Sequence, residues 1–190
     1  MNAPLKTSTA LTDVTLVEAA DMVARGETTS VALTAAAIEA FKSKDAKVNA
    51  LIWMDEQNAL ETAEALDRMR KAGRITGPLH GVPLAHKDMY YQAGKPCTCG
   101  SAIRKDFRPA YTATVIDRLH GAGSITLGGL NMAEFAQNPS GHNRHFGHCH
   151  NPWSLDYCTG GSSSGSGAAV AARFVYGALG SDTGGSIRLP

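Results

Sequence analysis

Gly160-Gly161-Ser162-Ser163-Ser164-Gly165-Ser166-Gly167, then the apolar run Ala168-Ala169-Val170-Ala171-Ala172, then Asp182-Thr183-Gly184-Gly185-Ser186-Ile187-Arg188, is the stretch on which the reading of the chain turns. Two serine-bearing glycine loops, separated by a segment apolar enough to be buried, place hydroxyls at element ends, where a rigid scaffold meets solvent. A serine hydroxyl is a poor nucleophile until a base takes its proton, and glycines let backbone N–H groups approach a developing oxyanion. The base has to come from elsewhere. Gly81-Val82-Pro83-Leu84-Ala85-His86-Lys87-Asp88 offers a lysine in apolar company, where desolvation favours the neutral amine.

Two plainer readings of the Gly/Ser loop fail on the residues themselves. A glycine-rich turn opening a helix can cradle phosphate, but no lysine follows Gly167 as the GxxxxGK[ST] pattern requires. A flexible linker would not run directly into an apolar helix.

Working outward, the short apolar runs beyond Gly73 alternate with helical segments, the pattern of a layered α/β core. A strand is expected over residues 82–86, delivering Lys87 at its end. A helix over 114–120 closes at Gly121 and Gly123, a strand follows over 124–127, a buried helix over 168–175, and a strand over 178–181 leads into the second serine loop. Ser164 and Ser166 read as helix caps, and Ser163 as a hydrogen-bonding neighbour of the chemistry. Upstream, residues 11–72 read as helical. Thr15 caps a helix ending near Arg25-Gly26, Ser30 caps one running to about Ser43, and Asp55 caps one ending near Lys71-Ala72-Gly73. Val31, Leu33, Ala37, Ile38 and Phe41 form a helical stripe that reads as core, and Leu51-Ile52-Trp53-Met54 as a short strand. The expected division is a helical segment over 1–74 packing on an α/β core over 75–190.

Composition bounds the function classes. The chain has 190 residues, 43% hydrophobic, with a net charge of +1, enough for one core and without the charge bias of a nucleic-acid or membrane-surface binder. Met1-Asn2-Ala3-Pro4-Leu5-Lys6 opens no apolar signal region, and no run of ~18 apolar residues exists. A soluble, cytoplasmic protein is expected, with Cys97, Cys99, Cys149 and Cys158 as free thiols. His142, His145, His148, Cys149 and His150 are metal-ligand types crowded together, but their spacing matches no zinc pattern, so they read as loop histidines near the cleft.

From GVPLAHKD through TATVIDRLHGAGSITLGGLNMAEFA and HNPW to GGSSSGSGAAVAA and GSDTGGSIRLP, roughly residues 75–190, the chain resembles the amidase signature family of serine hydrolases. The resemblance implies an α/β fold, a mixed β-sheet covered by helices on both faces, of which this chain is the N-terminal part, since family members are well over twice as long. It implies a Ser-Ser-Lys triad, with Ser186 as nucleophile, Ser162 as the bridging serine after a cis peptide bond, and Lys87 as base. The N–H groups of Thr183, Gly184, Gly185 and Ser186 match the family's oxyanion hole, with Ser163, Asp182 and Arg188 in support. Asp88 could orient its loop, although a full contact of its carboxylate with Lys87 would hold the lysine charged.

The activity implied is hydrolysis of a carboxylic amide through an acyl-enzyme, without metal or organic cofactor. Alternatives are the glutamine-hydrolysing component of a tRNA-dependent amidotransferase, and a catalytically silent fragment with an interaction role. The expected partner is a small-molecule amide, with nucleic acid involved only in the amidotransferase case, no membrane, and a homodimer as the oligomeric expectation. The 190-residue chain is expected to be inactive in isolation. Two departures from the family pattern stand out: GGSSSGSG changes the helix start, and Gly129 occupies a position where a lysine is common.

Overall fold

The computed structural model describes residues 11–190; the expectations for Met1-Asn2-Ala3-Pro4-Leu5-Lys6 and for the first residues of the helical segment lie outside the described residues. Helix α1, Leu16–Arg25, starts at Thr15. The Thr15 hydroxyl accepts the Glu18 N–H at 3.3 Å while the Glu18 carboxylate accepts the Thr15 N–H at 2.7 Å, so two donors left over at the helix start are satisfied reciprocally. Gly26 closes it at φ 75.

Helix α2, Ser30–Val48, is capped by Thr29 rather than by Ser30. The N–H groups of Ser30 and Val31 instead donate to the carboxylate of Asp67, at 2.7 and 3.1 Å, so a side chain from the next helix completes the cap. The helix also outruns its expected end. Ser43 turns its hydroxyl back onto the Glu39 carbonyl at 2.7 Å instead of breaking the helix, which ends at Asn49 in a left-handed conformation. Helix α3, Glu56–Lys71, is capped by Asp55 as expected.

Four strands form one mixed sheet in the order β1-β3-β2-β4, where β1 is Leu51–Met54, β2 Pro83–Lys87, β3 Ile125–Leu130 and β4 Ala178–Leu179. β1 is antiparallel to β3, and β2 is parallel to both β3 and β4. Helix α4, Thr114–Gly121, connects the loop after β2 to β3. β3 extends three residues beyond the expected end, through Gly128 and Gly129, because β1 lies against it there. A Cβ at Gly128 would sit 2.0 Å from the Trp53 carbonyl oxygen, and one at Gly129 2.1 Å from Trp53 Nε1.

Helix α5, Ser164–Ala171, begins four residues earlier than expected and ends sooner. Ser164 and Ser166 are therefore not caps. Both are buried inside the helix, where they donate to the carbonyls of Asn131 at 3.3 Å and Leu179 at 2.9 Å. Arg173, at φ 59, ends the helical run, and Phe174 turns back so that its ring lies 5.0 Å from that of Phe41. A tilted pair of this kind adds about 0.5–1.5 kcal/mol to the burial of its area. The main core gathers Ile38 and Phe41 of α2, Ala59, Ala63 and Leu66 of α3, Leu127 and Leu130 of β3, and Ala168 and Ala169 of α5. Of the expected stripe, Leu33, Ala37, Ile38 and Phe41 are buried, with Val31 packed partly exposed at the margin.

Candidate active site

Lys87 is the last residue of β2, a strand buried at every position, and only 1% of its surface is exposed. Its Nζ lies 2.6 Å from Ser162 Oγ. Ser162, fully buried, follows a cis Gly161–Ser162 peptide and immediately precedes the turn into α5. A second hydroxyl, that of Ser181, lies 2.8 Å from the same nitrogen. Burial draws the Lys87 amine down to about 8, against the opposing pull of Asp182 and Cys99, which favour its charged form.

Asp88, next in sequence, keeps its carboxylate away from that amine. It accepts from Trp53 Nε1 at 2.8 Å, from the Thr98 N–H at 2.9 Å, and from the Thr98 hydroxyl. Its burial pushes the carboxyl upward from the usual range. The residue thus orients the loop after Thr98 without a contact that would lock Lys87 in its charged form. The bare Gly129 leaves the space in which Trp53 and Asp88 meet, since a Cβ there would lie 2.7 Å from Asp88 Oδ1. On the neighbouring position of β2, His86 is buried with neither ring nitrogen partnered among the described residues, and burial pulls it down to about 4, so it is a neutral imidazole.

The second serine loop closes over the first. The Ser163 N–H donates to the Ser186 carbonyl at 3.2 Å, and the Ser163 hydroxyl both donates to the Ser181 carbonyl, 3.3 Å, and accepts the Ser181 N–H, 3.2 Å. Asp182 shapes the loop itself. Its carboxylate accepts from Arg188 Nη2 at 2.9 Å and Nε at 3.0 Å, one edge of the guanidinium, and from the N–H groups of Ile187 at 3.0 Å and Gly185 at 2.9 Å, which hold the acid far below the usual carboxylate range. Gly185 takes φ 126, open only to glycine. Ser186 Oγ has no hydrogen-bond partner among the described residues. Of the four N–H groups matched to an oxyanion hole, that of Gly185 is engaged by Asp182, while those of Thr183, Gly184 and Ser186 meet no other group of the described protein. An open cavity of about 350 Å³ adjoins this loop, bounded by Ser163, Val170, Ala178, Gly180 and Ile187.

The histidine segment takes structural partners. His145 Nε2 lies 2.9 Å from Glu134 Oε1, His148 Nδ1 accepts the Asn143 N–H at 3.0 Å, His150 Nδ1 lies 2.9 Å from the Leu155 carbonyl, and the His142 and His148 rings are 4.5 Å apart. No group of three or more His, Cys, Asp or Glu among the described residues is arranged to hold a metal ion.

Sequence reasoning missed Ser181. Its signal was present, a serine at the C-terminal end of an expected strand, but only the parallel pairing of β4 with β2 reveals that this end lies beside Lys87.

The site thus sets a buried lysine against a serine, with a glycine-built serine loop packed on the neighbouring Ser163, and the family model named Amidase matches residues 32–190. The chain belongs to the amidase family. It is 45% identical to a glutamyl-tRNA(Gln) amidotransferase subunit from Salinispora tropica over 96% of the chain. Among solved amidase structures it resembles the peptide amidase of Stenotrophomonas maltophilia, with TM-score 0.86 and 34% identity over 92% of the chain and 37% of that protein. A fatty acid amide hydrolase superposes with TM-score 0.91 and 28% identity over 98% of the chain and 33% of its own. The chain spans 37% of the length of the Salinispora relative. The amidase signature fold expected from the motifs is therefore the fold observed, represented here by part of its length. No helix among the described residues is long and apolar enough to cross a membrane.

Proposed function

We propose that this chain carries the catalytic groups of an amide hydrolase, with Ser186 as nucleophile, Ser162 as proton bridge and Lys87 as base. The observation that supports it best is the 2.6 Å contact between a fully buried serine and a lysine whose burial draws it to about 8, near enough to neutrality for the amine to act as base. Neutral Lys87 takes the proton of Ser162, which takes that of Ser186 as it attacks the amide carbonyl. The free N–H groups of the 183–186 loop face the growing negative charge, and one such donor is worth about 10²–10³ in rate. The relayed proton leaves with the amine, and water repeats the sequence on the acyl-enzyme. No step needs a metal or organic cofactor. The free thiols accord with a cytoplasmic enzyme.

The name of the Salinispora relative favours a second reading, a glutamine-hydrolysing component working with partner proteins in tRNA-dependent amidation. Ammonia release from a panel of small amides and from glutamine, with the purified protein and with Ser186→Ala, separates the two. Turnover of simple amides by the protein alone supports the hydrolase; release from glutamine alone supports the amidotransferase component; release unaffected by Ser186→Ala refutes both.

A further inference from the structure

Cys97, Cys99, Cys149 and Cys158 are all free thiols, but two of them stand apart. Cys149 is buried, and that burial pushes its thiol up to about 12; Cys158 is exposed on the loop before the Gly/Ser turn. Cys97 and Cys99 instead flank Thr98 on a loop clamped to the residue that follows Lys87. The Cys99 N–H donates to the Asp88 carbonyl at 2.8 Å, Cys97 Sγ lies 3.8 Å from that same oxygen, and Thr98 holds the Asp88 carboxylate with its N–H and its hydroxyl. Cys97 is fully buried and Cys99 half-buried, so a small reagent reaches the second and not the first.

We propose that Cys99 is a modifiable nucleophilic thiol with Cys97 as its resolving partner, and that a peroxide converts the pair into a disulfide that moves Asp88 and so disables Lys87. The groups facing the pair favour this division of labour. Arg104, held by the Cys97 carbonyl at 3.3 Å and the Tyr91 hydroxyl at 3.0 Å, and the Lys87 ammonium stabilise a thiolate at Cys99, while Asp88 and burial oppose it. The interaction of the two thiols draws Cys99 down to about 7 and pushes Cys97 up, while the Cys97 thiol itself points at the Asp88 carbonyl oxygen. Lys87 faces Ser162, Ser181 and Asp182 as well as Cys99.

In the first step the Cys99 thiolate attacks one oxygen of hydrogen peroxide. The O–O bond breaks, hydroxide leaves and becomes water, and the sulfur is oxidised by two electrons to a sulfenic acid. Cys97 then gives up its proton and attacks that sulfur; the S–O bond breaks, and the departing hydroxide takes the proton as a second water. Two thiols and one peroxide thus become one disulfide and two waters. A bond between sulfurs two residues apart closes a small ring through Thr98, the residue whose two hydrogen bonds hold the Asp88 carboxylate. The thiol chemistry stands whatever amide is cleaved; its effect on turnover rests on the amidase reading above.

The test is peroxide treatment of the purified protein carrying Cys158→Ser, which removes the exposed thiol, followed by peptide mass measurement and an amide turnover assay. The expected result is a loss of two hydrogen masses confined to the peptide containing residues 97–99, reversed by dithiothreitol. Turnover should fall about tenfold or more and return with the reductant, because small displacements of a catalytic group carry costs of that size. With Cys97→Ser the reaction should stop at a sulfenic acid on Cys99, trapped by dimedone; with Cys99→Ser, Cys97 should stay reduced. Absence of the mass loss, or oxidation of Cys97 in the Cys99→Ser protein at the wild-type rate, overturns the proposal, as does disulfide formation with turnover unchanged. If the reduced protein cleaves no amide, the peptide masses alone decide the thiol chemistry, independently of the amidase reading.

Discussion

Replacing Lys87 with methionine tests the base and its electrostatic cost together. The ammonium is disfavoured in the fold, with its pKa drawn from 10.5 to about 8 by burial. Between those values the unfolded chain holds a proton at Lys87 that the folded protein does not, so the folded wild type gains stability as pH rises through that window and loses it as pH falls toward 8. The size of the effect is roughly 3 kcal/mol, from 1.36 kcal/mol per pH unit of difference. Lys87→Met abolishes the dependence. Against that gain it leaves the hydroxyls of Ser162 and Ser181 without their nitrogen partner, a loss of about 1 kcal/mol or more for each. Near neutral pH the variant should therefore match or exceed the wild type in stability while losing turnover. Above pH 10.5 it should be the less stable of the two. Urea unfolding of both proteins across this range measures the difference directly. A difference that stays constant with pH refutes a desolvated lysine at this site, and retained turnover in the variant refutes its role as base.

Three further outcomes follow from the same geometry. Ser186→Ala should remove amide turnover with a change in urea midpoint corresponding to no more than about 0.5 kcal/mol, since the hydroxyl has no partner to lose among the described residues; normal turnover would place the nucleophile elsewhere. Asp182→Asn removes an anion that favours charged Lys87, so the rising limb of the pH–rate profile, centred near 8 in the wild type, should move to lower pH, with a lower plateau because the hold on Gly185, Ile187 and Arg188 weakens. A limb that moves to higher pH contradicts the electrostatic account. Gly165→Ala should destabilise by about 1–3 kcal/mol or more in the same unfolding assay, because its Cβ would lie 2.3 Å from the Ala50 carbonyl oxygen and 2.4 Å from the Asn131 nitrogen, backbone atoms with little room to yield.

Local signals carried most of the helical layer and the identity of the family. The Thr15 and Asp55 caps, the Gly26 stop and the apolar stripe of α2 depend on residues within a few positions of one another, and each stands where those residues dictate. The spaced motifs around Lys87, Ser162 and Ser186 likewise declared the amidase family from order and residue type alone. Where long-range contacts compete with local preference, the sequence was silent or misleading. Thr29 and Asp67 together begin α2, because a carboxylate 37 residues away reaches the Ser30 N–H. Ser164 and Ser166 are helical because the carbonyls of Asn131 and Leu179 take their hydroxyls. β3 runs on through Gly128 and Gly129 because Trp53 of β1 fills the space their missing side chains leave. The proximity of Ser181 to Lys87 and the thiolate environment of Cys99 arise only when β4 pairs with β2 and the 97–101 loop folds onto Asp88. A chain declares its local propensities and its reactive groups one at a time; which of those groups share a dielectric and a hydrogen bond is decided by backbone pairing across tens of residues, and that pairing sets the charge on Lys87.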